Sequence, residues 1–240
     1  MSYQDKQDKA VNDIINRARA SNKYLGERLG PGEVLYNAVD TEVFLPKGKY
    51  SHDAFTFLIT GNIRKNNNYR ISSVVLALKE VIKFNKKTYL KIAGYIEDKI
   101  YFLSLIKSLN LDNHISFIDK YTQKDAPQIY KGVDAYITMT FQDNCPSAVL
   151  EAMSCGLPVL YSSSGGIPEL VDNNSGIGLK VPENWIETEI PFTTDIKDGM
   201  LKIIDSRKHM SDAARYRAVK YFDIKDWINK HITIFEKMIN

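Results

Sequence analysis

The sequence is poor in the residues that staple or metallate a small protein. Its two cysteines, Cys145 and Cys155, supply neither a disulfide framework nor a four-ligand zinc site. The four histidines, His52, His114, His209 and His231, are scattered along the chain. No apolar run approaches the ~18 residues of a membrane span. The first stretch, MSYQDKQDKAVNDII, is too charged for a signal peptide. Charge of one sign is also lacking: 32 Lys and Arg against 29 Asp and Glu leave +3, without the strong basic excess of a nucleic-acid binder. No Gly-x-Gly-x-x-Gly follows a strand candidate, which argues against a nicotinamide-dependent oxidoreductase. The expectation is a soluble protein of a reducing compartment, cytoplasmic, with no transmembrane segment and no nucleic-acid partner.

What is present is ordinary globular composition: 44% hydrophobic and 25% charged residues in 240. That excludes disordered, collagenous and coiled-coil classes. A chain of this length buries roughly 70% of its unfolded surface and needs no covalent staple.

Short apolar runs alternate with amphipathic stretches. Strands are expected at 34–37, 55–60, 89–94, 115–118, 135–139 and 158–162, all rich in β-branched and aromatic residues. Most are continuously apolar, the pattern of parallel strands covered on both faces. Between them, Ile71, Val74, Val75, Leu78, Val81 and Ile82 recur at helical spacing in 69–84, and Phe102, Leu103, Ile106 and Leu109 do so in 98–109. A helix over 147–155 stops at Gly156, with Pro158 beyond it. The order predicts an α/β doubly wound parallel sheet over 33–182, preceded by a helical segment, 1–32. Helices at 194–205, 208–221 and 224–238 form a C-terminal segment, 183–240, packed on that domain. The last carries Ile224, Trp227, Ile228, His231, Phe235 and Met238 on one face.

In open α/β sheets, ligands bind at the carboxyl ends of the strands. Gly61-Asn62-Ile63-Arg64-Lys65 follows the strand at 55–60. Asp143, Asn144, Cys145, Pro146 and Ser147 follow 135–139 and lead into the helix of Glu151. Gly165-Gly166-Ile167-Pro168-Glu169 follows 158–162. Arg64 and Lys65 can neutralise phosphate oxygens, and a helix start near Ser147 and the N–H groups of Gly165 and Gly166 favour anions. Asp143 and Glu151 suit sugar hydroxyls. The mixture fits a ligand carrying both phosphate and polyol. Blander roles stand beside these. Asp143 reads equally as a turn cap, Arg64 and Lys65 as a solvated pair, Glu169 as a loop support and Cys145 as a small packed residue.

The stretch from Asp143 through Glu151-Ala152-Met153-Ser154-Cys155-Gly156-Leu157-Pro158-Val159 resembles the E-x7-E region of GT-B retaining glycosyltransferases of family 4. Gly165-Gly166-Ile167-Pro168-Glu169 resembles that family's G-G-x-P-E loop. Asn37-Ala38-Val39-Asp40, with Phe44 and Pro46, is similar to its N-G-V-D-x-x-x-F-x-P segment. The three occur in the family's order over 34–182. The resemblance implies the C-terminal, Rossmann-like half of a GT-B fold with extra C-terminal helices, and a nucleotide-diphosphate sugar, such as a UDP- or GDP-sugar, as donor substrate with no cofactor.

On this resemblance Glu151 binds the ribose, with Gly61, Asn62, Asn144, Ser147, Gly165 and Gly166 around the nucleotide. Arg64, Lys65 and Asp143 act at the reacting centre, with Arg70 as the alternative diphosphate cation. Asn62 replaces the family's arginine, Asp143 its usual glutamate, and Pro146 removes an N–H from the sugar-facing loop. The implied reaction is metal-independent glycosyl transfer with retention, in the context of glycan biosynthesis; no Asp-x-Asp, the metal-phosphate motif of the other main glycosyltransferase fold, is present. Only about 33 residues precede the matched region, too few for the family's acceptor domain. A second chain supplying that domain, a homo-oligomer, or a non-catalytic nucleotide-sugar-binding or regulatory module each accommodates this. The final helix resembles the one that crosses back to the acceptor domain in the family, so its apolar face is expected to be partly exposed.

Overall fold

The computed structural model describes residues 34–48, 54–182 and 186–239, with side chains described to 237. The expected helical segment 1–32 and Trp185 lie outside the described residues. The chain divides into two units, Met1–Tyr36 and Asn37–Asn240, and the second holds every element named below.

Six strands form one sheet: β1 (Phe55–Thr60), β2 (Thr88–Ala93), β3 (Ile115–Ile118), β4 (Ala135–Thr138), β5 (Val159–Ser163) and β6 (Gly176–Lys180). The helices are α1 (Tyr69–Phe84), α2 (Lys99–Ser108), α3 (Ala126–Lys131), α4 (Ser147–Ser154), α5 (Ile167–Leu170), α6 (Thr193–Tyr221) and α7 (Ile224–Ile239). The strand order is β3-β2-β1-β4-β5-β6, and every pairing is parallel. Parallel neighbours require crossovers, which the helices between the strands provide. The two halves of the winding diverge between β1 and β4, where this architecture opens its crevice.

The continuous apolar runs sit where two-sided burial requires them. Phe57, Leu58 and Ile59 of β1 and Ala135, Tyr136 and Ile137 of β4 are buried. Helix α1 turns Ile71, Val74, Val75, Leu78 and Val81 into the same core. Helix α6 closes it with Ile196, Met200 and Ile203. Arg207 on α6 reaches Asp134, just before β4, at 2.6 Å, and the other Asp134 oxygen accepts the Thr56 N–H at 2.8 Å.

Four expectations change. Residues 34–37 form no strand; Val39 instead bridges Asp223. The glycines of Gly176-Ile177-Gly178 hid β6, because glycine has low strand propensity. Helices α3 and α5 are too short to show a period. The two helices expected at 194–205 and 208–221 are one: the polar run at Ser206-Arg207-Lys208 continues the helix, with Arg207 turned inward to pair with Asp134.

A polar knot fixes the far end of α4. The buried Ser154 hydroxyl donates to the Phe44 carbonyl at 2.7 Å. Arg215 of α6 donates to the carbonyls of Phe44, Ser154 and Thr41 at 3.1, 2.7 and 3.0 Å. The segment 39–44 is thereby tied to α4 and α6. Replacing Ser154 by alanine removes the hydroxyl's bond to Phe44 and the one Arg215 donates to the hydroxyl at 3.0 Å, while Arg215 still serves the Phe44 and Ser154 carbonyls. The expected loss is ~1 kcal/mol, read as a fall of about 2–4 °C in Tm.

Candidate functional site

The carboxyl ends of β1, β4 and β5 meet over the topological switch point. The loop after β4 is clamped to the loop after β5. Gln142 N–H donates to the Ser164 hydroxyl at 3.0 Å, and Gly166 N–H donates to the Asp143 carbonyl at 2.8 Å. Gly165 has φ +62°, and a Cβ there would lie 2.3 Å from the Asp143 carbonyl oxygen. Only glycine permits this contact. Gln142 itself has φ +58°, a left-handed conformation costing roughly 1 kcal/mol or more in a non-glycine residue. The Ser164 bond helps to hold it.

The start of α1 joins the same place. Phe141 N–H donates to the Tyr69 hydroxyl at 3.2 Å. Asn37 binds the next part of the loop: its N–H meets Cys145 Sγ at 3.3 Å and its side-chain amide donates to the Cys145 carbonyl at 2.7 Å. Asp143, Asn144, Gly165 and Gly166 are thus gathered on one rim, with Ser147 exposed at the first turn of α4.

Of the cations, Arg70 stands closest to the strand ends. Its guanidinium lies over Gly61, with Nη2 3.4 Å from where a Cβ would project, and Nη2 donates to the Thr60 carbonyl at 3.3 Å. Arg70 Nε is buried without a hydrogen-bond partner, and among the described residues Arg70 forms no ion pair. A half-buried guanidinium without a carboxylate is costly unless an anion arrives. Arg64 and Lys65 are exposed around a short 3-10 turn. Their backbone N–H groups are held by Asn67 at 2.7 Å and Glu97 at 2.9 Å. Asn62 is exposed beside them.

Glu151 sits one turn into α4, half-buried. Gln123, on the loop after β3, donates to its Oε1 at 2.7 Å, and the Tyr130 hydroxyl lies nearby. Burial raises its pKa above the usual carboxylate value, and the Gln123 bond with the neighbouring Tyr130 hydroxyl offsets this in part. Beneath lies a hydroxyl cluster, Thr60, Tyr121, Tyr130 and Tyr136. Thr60 Oγ1 is 2.9 Å from the Tyr136 hydroxyl and 3.3 Å from that of Tyr130. Burial pushes the Tyr136 phenol up to about 12 and that of Tyr130 well above its ordinary value, so both stay neutral donors. Cys155, at the end of α4, is pushed up to about 12 by burial, so its thiol is inert.

Sequence reasoning reached Glu151 and the two loops but missed Gln123 and the hydroxyl cluster. The available signal was a threonine ending β1 and a tyrosine inside β4. Among the described residues no group of three or more His, Cys, Asp or Glu side chains could hold a metal ion. No helix among them is long and apolar enough to cross a membrane.

Comparison with solved structures matches this architecture. The C-terminal domain of a group 1 glycosyl transferase family protein (LpcC) from Francisella tularensis is 20% identical with a TM-score of 0.64, over 78% of this chain and 99% of that one. Anabaena Alr3699/HepE, solved in complex with UDP, is 16% identical with a TM-score of 0.70, over 86% and 58%. The pneumococcal O-GlcNAc transferase GtfA, solved with UDP and GlcNAc, is 17% identical with a TM-score of 0.69, over 91% and 44%. The chain therefore spans about half the length of the last two. A search of curated proteins gives no significant match. The family model for glycosyl transferases group 1 matches residues 41–217, which takes in β1 to β6 and nearly all of α6. On that match, and on a fold shared with solved members, the chain belongs to the glycosyl transferases group 1 family.

Proposed function

We propose that this chain is the donor-binding half of a retaining, metal-independent family 4 glycosyltransferase, which holds a nucleotide-diphosphate sugar in the switch-point crevice. One observation carries the reading: an anchored carboxylate, Glu151, and a guanidinium lacking an acid partner, Arg70, flank the carboxyl ends of the strands on either side of the switch point. The carboxylate suits ribose hydroxyls and the guanidinium suits a diphosphate. The UDP in the HepE structure supports the choice of nucleotide, and the UDP with GlcNAc in GtfA supports a sugar donor.

In this reading the diphosphate lies over Gly61 and Asn62, with Arg70 beneath it and Arg64 and Lys65 at its outer side. The sugar faces Asp143 and Asn144, and Ser147, Gly165 and Gly166 line the rim. As the glycosidic bond to the diphosphate breaks, negative charge grows on the leaving phosphate while the sugar takes oxocarbenium character. Fixed cations around that phosphate stabilise the transition state more than the ground state. The acceptor enters on the same face as the departing phosphate, giving retention.

The acceptor-binding part comes from a second chain. The apolar face of α7 supports this: Ile228, Ile232 and Phe235 are 45, 48 and 57% exposed. Cys145 and Cys155 are thiols not joined in a disulfide, which suits a reducing cytoplasm as the setting.

The test is transfer itself. The chain, purified with whatever co-purifies from its host, is incubated with UDP-glucose, UDP-GlcNAc and GDP-mannose, and the product anomer is read by NMR. Transfer or donor hydrolysis with retained configuration is expected. Inverted product contradicts the mechanism, and saturable donor binding without turnover identifies a non-catalytic nucleotide-sugar module instead.

A further inference from the structure

Helix α5, Ile167–Leu170, is a single turn, too short to hold itself. The last carbonyls of any helix lack partners within it. One side chain on α6 takes two of those in α5: Arg217 Nε donates to the Leu170 carbonyl at 2.5 Å and Nη2 to the Glu169 carbonyl at 2.9 Å. Its Nη1 reaches Asp172, just beyond α5, at 3.4 Å. The guanidinium also lies against the rings of Tyr221 and Phe222, 5.3 and 5.8 Å from their centroids. At its other end α5 begins from Gly166, whose N–H donates to the Asp143 carbonyl. Gly166, Ile167 and Leu170 are buried, so close packing joins the two ends. We infer that Arg217 is a positioning residue for the sugar end of the donor site: by gripping the last carbonyls of α5 it seats the Gly165-Gly166 turn against Asp143 and so sets where the Asp143 loop stands. This rests on the reading of Asp143 as facing the donor's sugar.

Arginine suits the place because its planar fork serves several acceptors at once, where an ammonium acts as a point charge. The two carbonyls carry the grip, since the Asp172 contact is long and Asp172 is partly exposed. The effect is confined to the sugar end. Arg70 and Glu151, the proposed diphosphate and ribose partners, are held by the Thr60 carbonyl and by Gln123, on other elements. Loss of Arg217 therefore separates sugar recognition from nucleotide recognition, which a general loss of stability does not do.

Arg217→Gln removes the grip, and Arg217→Lys keeps the charge with part of the bonding. Asp172→Asn removes the ion pair and keeps the side-chain oxygen that accepts from Ser175. Exchange of the Gly166 amide is followed by NMR in the full chain, beside calorimetric titration with UDP, UDP-glucose and UDP-GlcNAc. Gly166 protection is expected to fall about 10-fold in Arg217→Gln, less in Arg217→Lys, and to stay at the wild-type level in Asp172→Asn. UDP affinity is expected to stay within about 2-fold, while affinity for the UDP-sugar relative to UDP falls about 3- to 10-fold in Arg217→Gln and recovers in part in Arg217→Lys. If Arg217→Gln does not fold, Arg217→Lys carries the test. Unmoved Gly166 protection in the folded variant overturns the grip. Lowered protection with an unchanged sugar preference overturns the positioning role when Asp143→Ala does change that preference. An unchanged preference in Asp143→Ala as well overturns the sugar reading of Asp143 and leaves the grip on α5 standing.

Discussion

A Glu151→Ala variant is expected to bind UDP about 100-fold more weakly than the wild type, with its fold intact. A carboxylate accepting from two ribose hydroxyls makes charge-assisted hydrogen bonds, each worth roughly 1.5–3 kcal/mol, and losing part of that set removes ~2.7 kcal/mol. Stability moves the other way. Burial raises the folded-state pKa of Glu151 above its ordinary value. Such a group favours the folded state below its unfolded pKa, and that contribution is lost as pH rises through the raised value. At neutral pH the ionised carboxylate is therefore a burden on the fold, and Glu151→Gln is expected to melt at or above the wild-type temperature. Acidification from neutrality narrows the difference. Calorimetric titration with UDP and thermal melts at pH 7 and pH 5 check both halves; a Glu151→Gln protein that melts lower and binds UDP normally marks Glu151 as purely structural.

The second large effect is at Arg70. Arg70→Gln is expected to weaken UDP binding by about 30- to 100-fold, the loss of one or two charge-assisted bonds to phosphate. Uridine, which has no phosphate, is expected to bind the variant and the wild type alike. Arg70→Lys recovers only part of the loss, because an ammonium does not reproduce the planar fork. Arg64→Ala and Lys65→Ala are expected to cost less, since both residues are exposed and screened by solvent and salt. Parallel titrations with UDP and uridine separate these cases. A larger loss in Arg64→Ala or Lys65→Ala than in Arg70→Gln would return the diphosphate to the outer loop.

Much of the sheet was legible because its strands are covered on both faces. Burial on two sides favours mostly apolar runs, and such runs are visible at 55–60 and 135–139. β6 was not, because its two glycines carry no side chain to signal a face. The clamp between the two rim loops was half legible. Gly165-Gly166 announces a tight turn, but the seat of that turn on the Asp143 carbonyl depends on β4 and β5 being neighbours, which is a tertiary fact. Arg70 was harder. Its place in the sequence, on the first turn of a helix, says nothing about reaching back across Gly61 to the Thr60 carbonyl. Gln123 lies 28 positions before Glu151 and on a different element, so nothing local could have joined it to Glu151. The hydroxyl cluster illustrates the general case: each member alone is an ordinary tyrosine or threonine, and only the fold brings Thr60, Tyr130 and Tyr136 together.

The most direct test of the nucleotide site is calorimetric titration of the purified chain with UDP, GDP and ADP, repeated on Glu151→Gln. The account predicts saturable one-to-one binding of at least one nucleotide, UDP foremost, and its loss in the variant. Absence of binding by all three, or equal binding by wild type and variant, would contradict it.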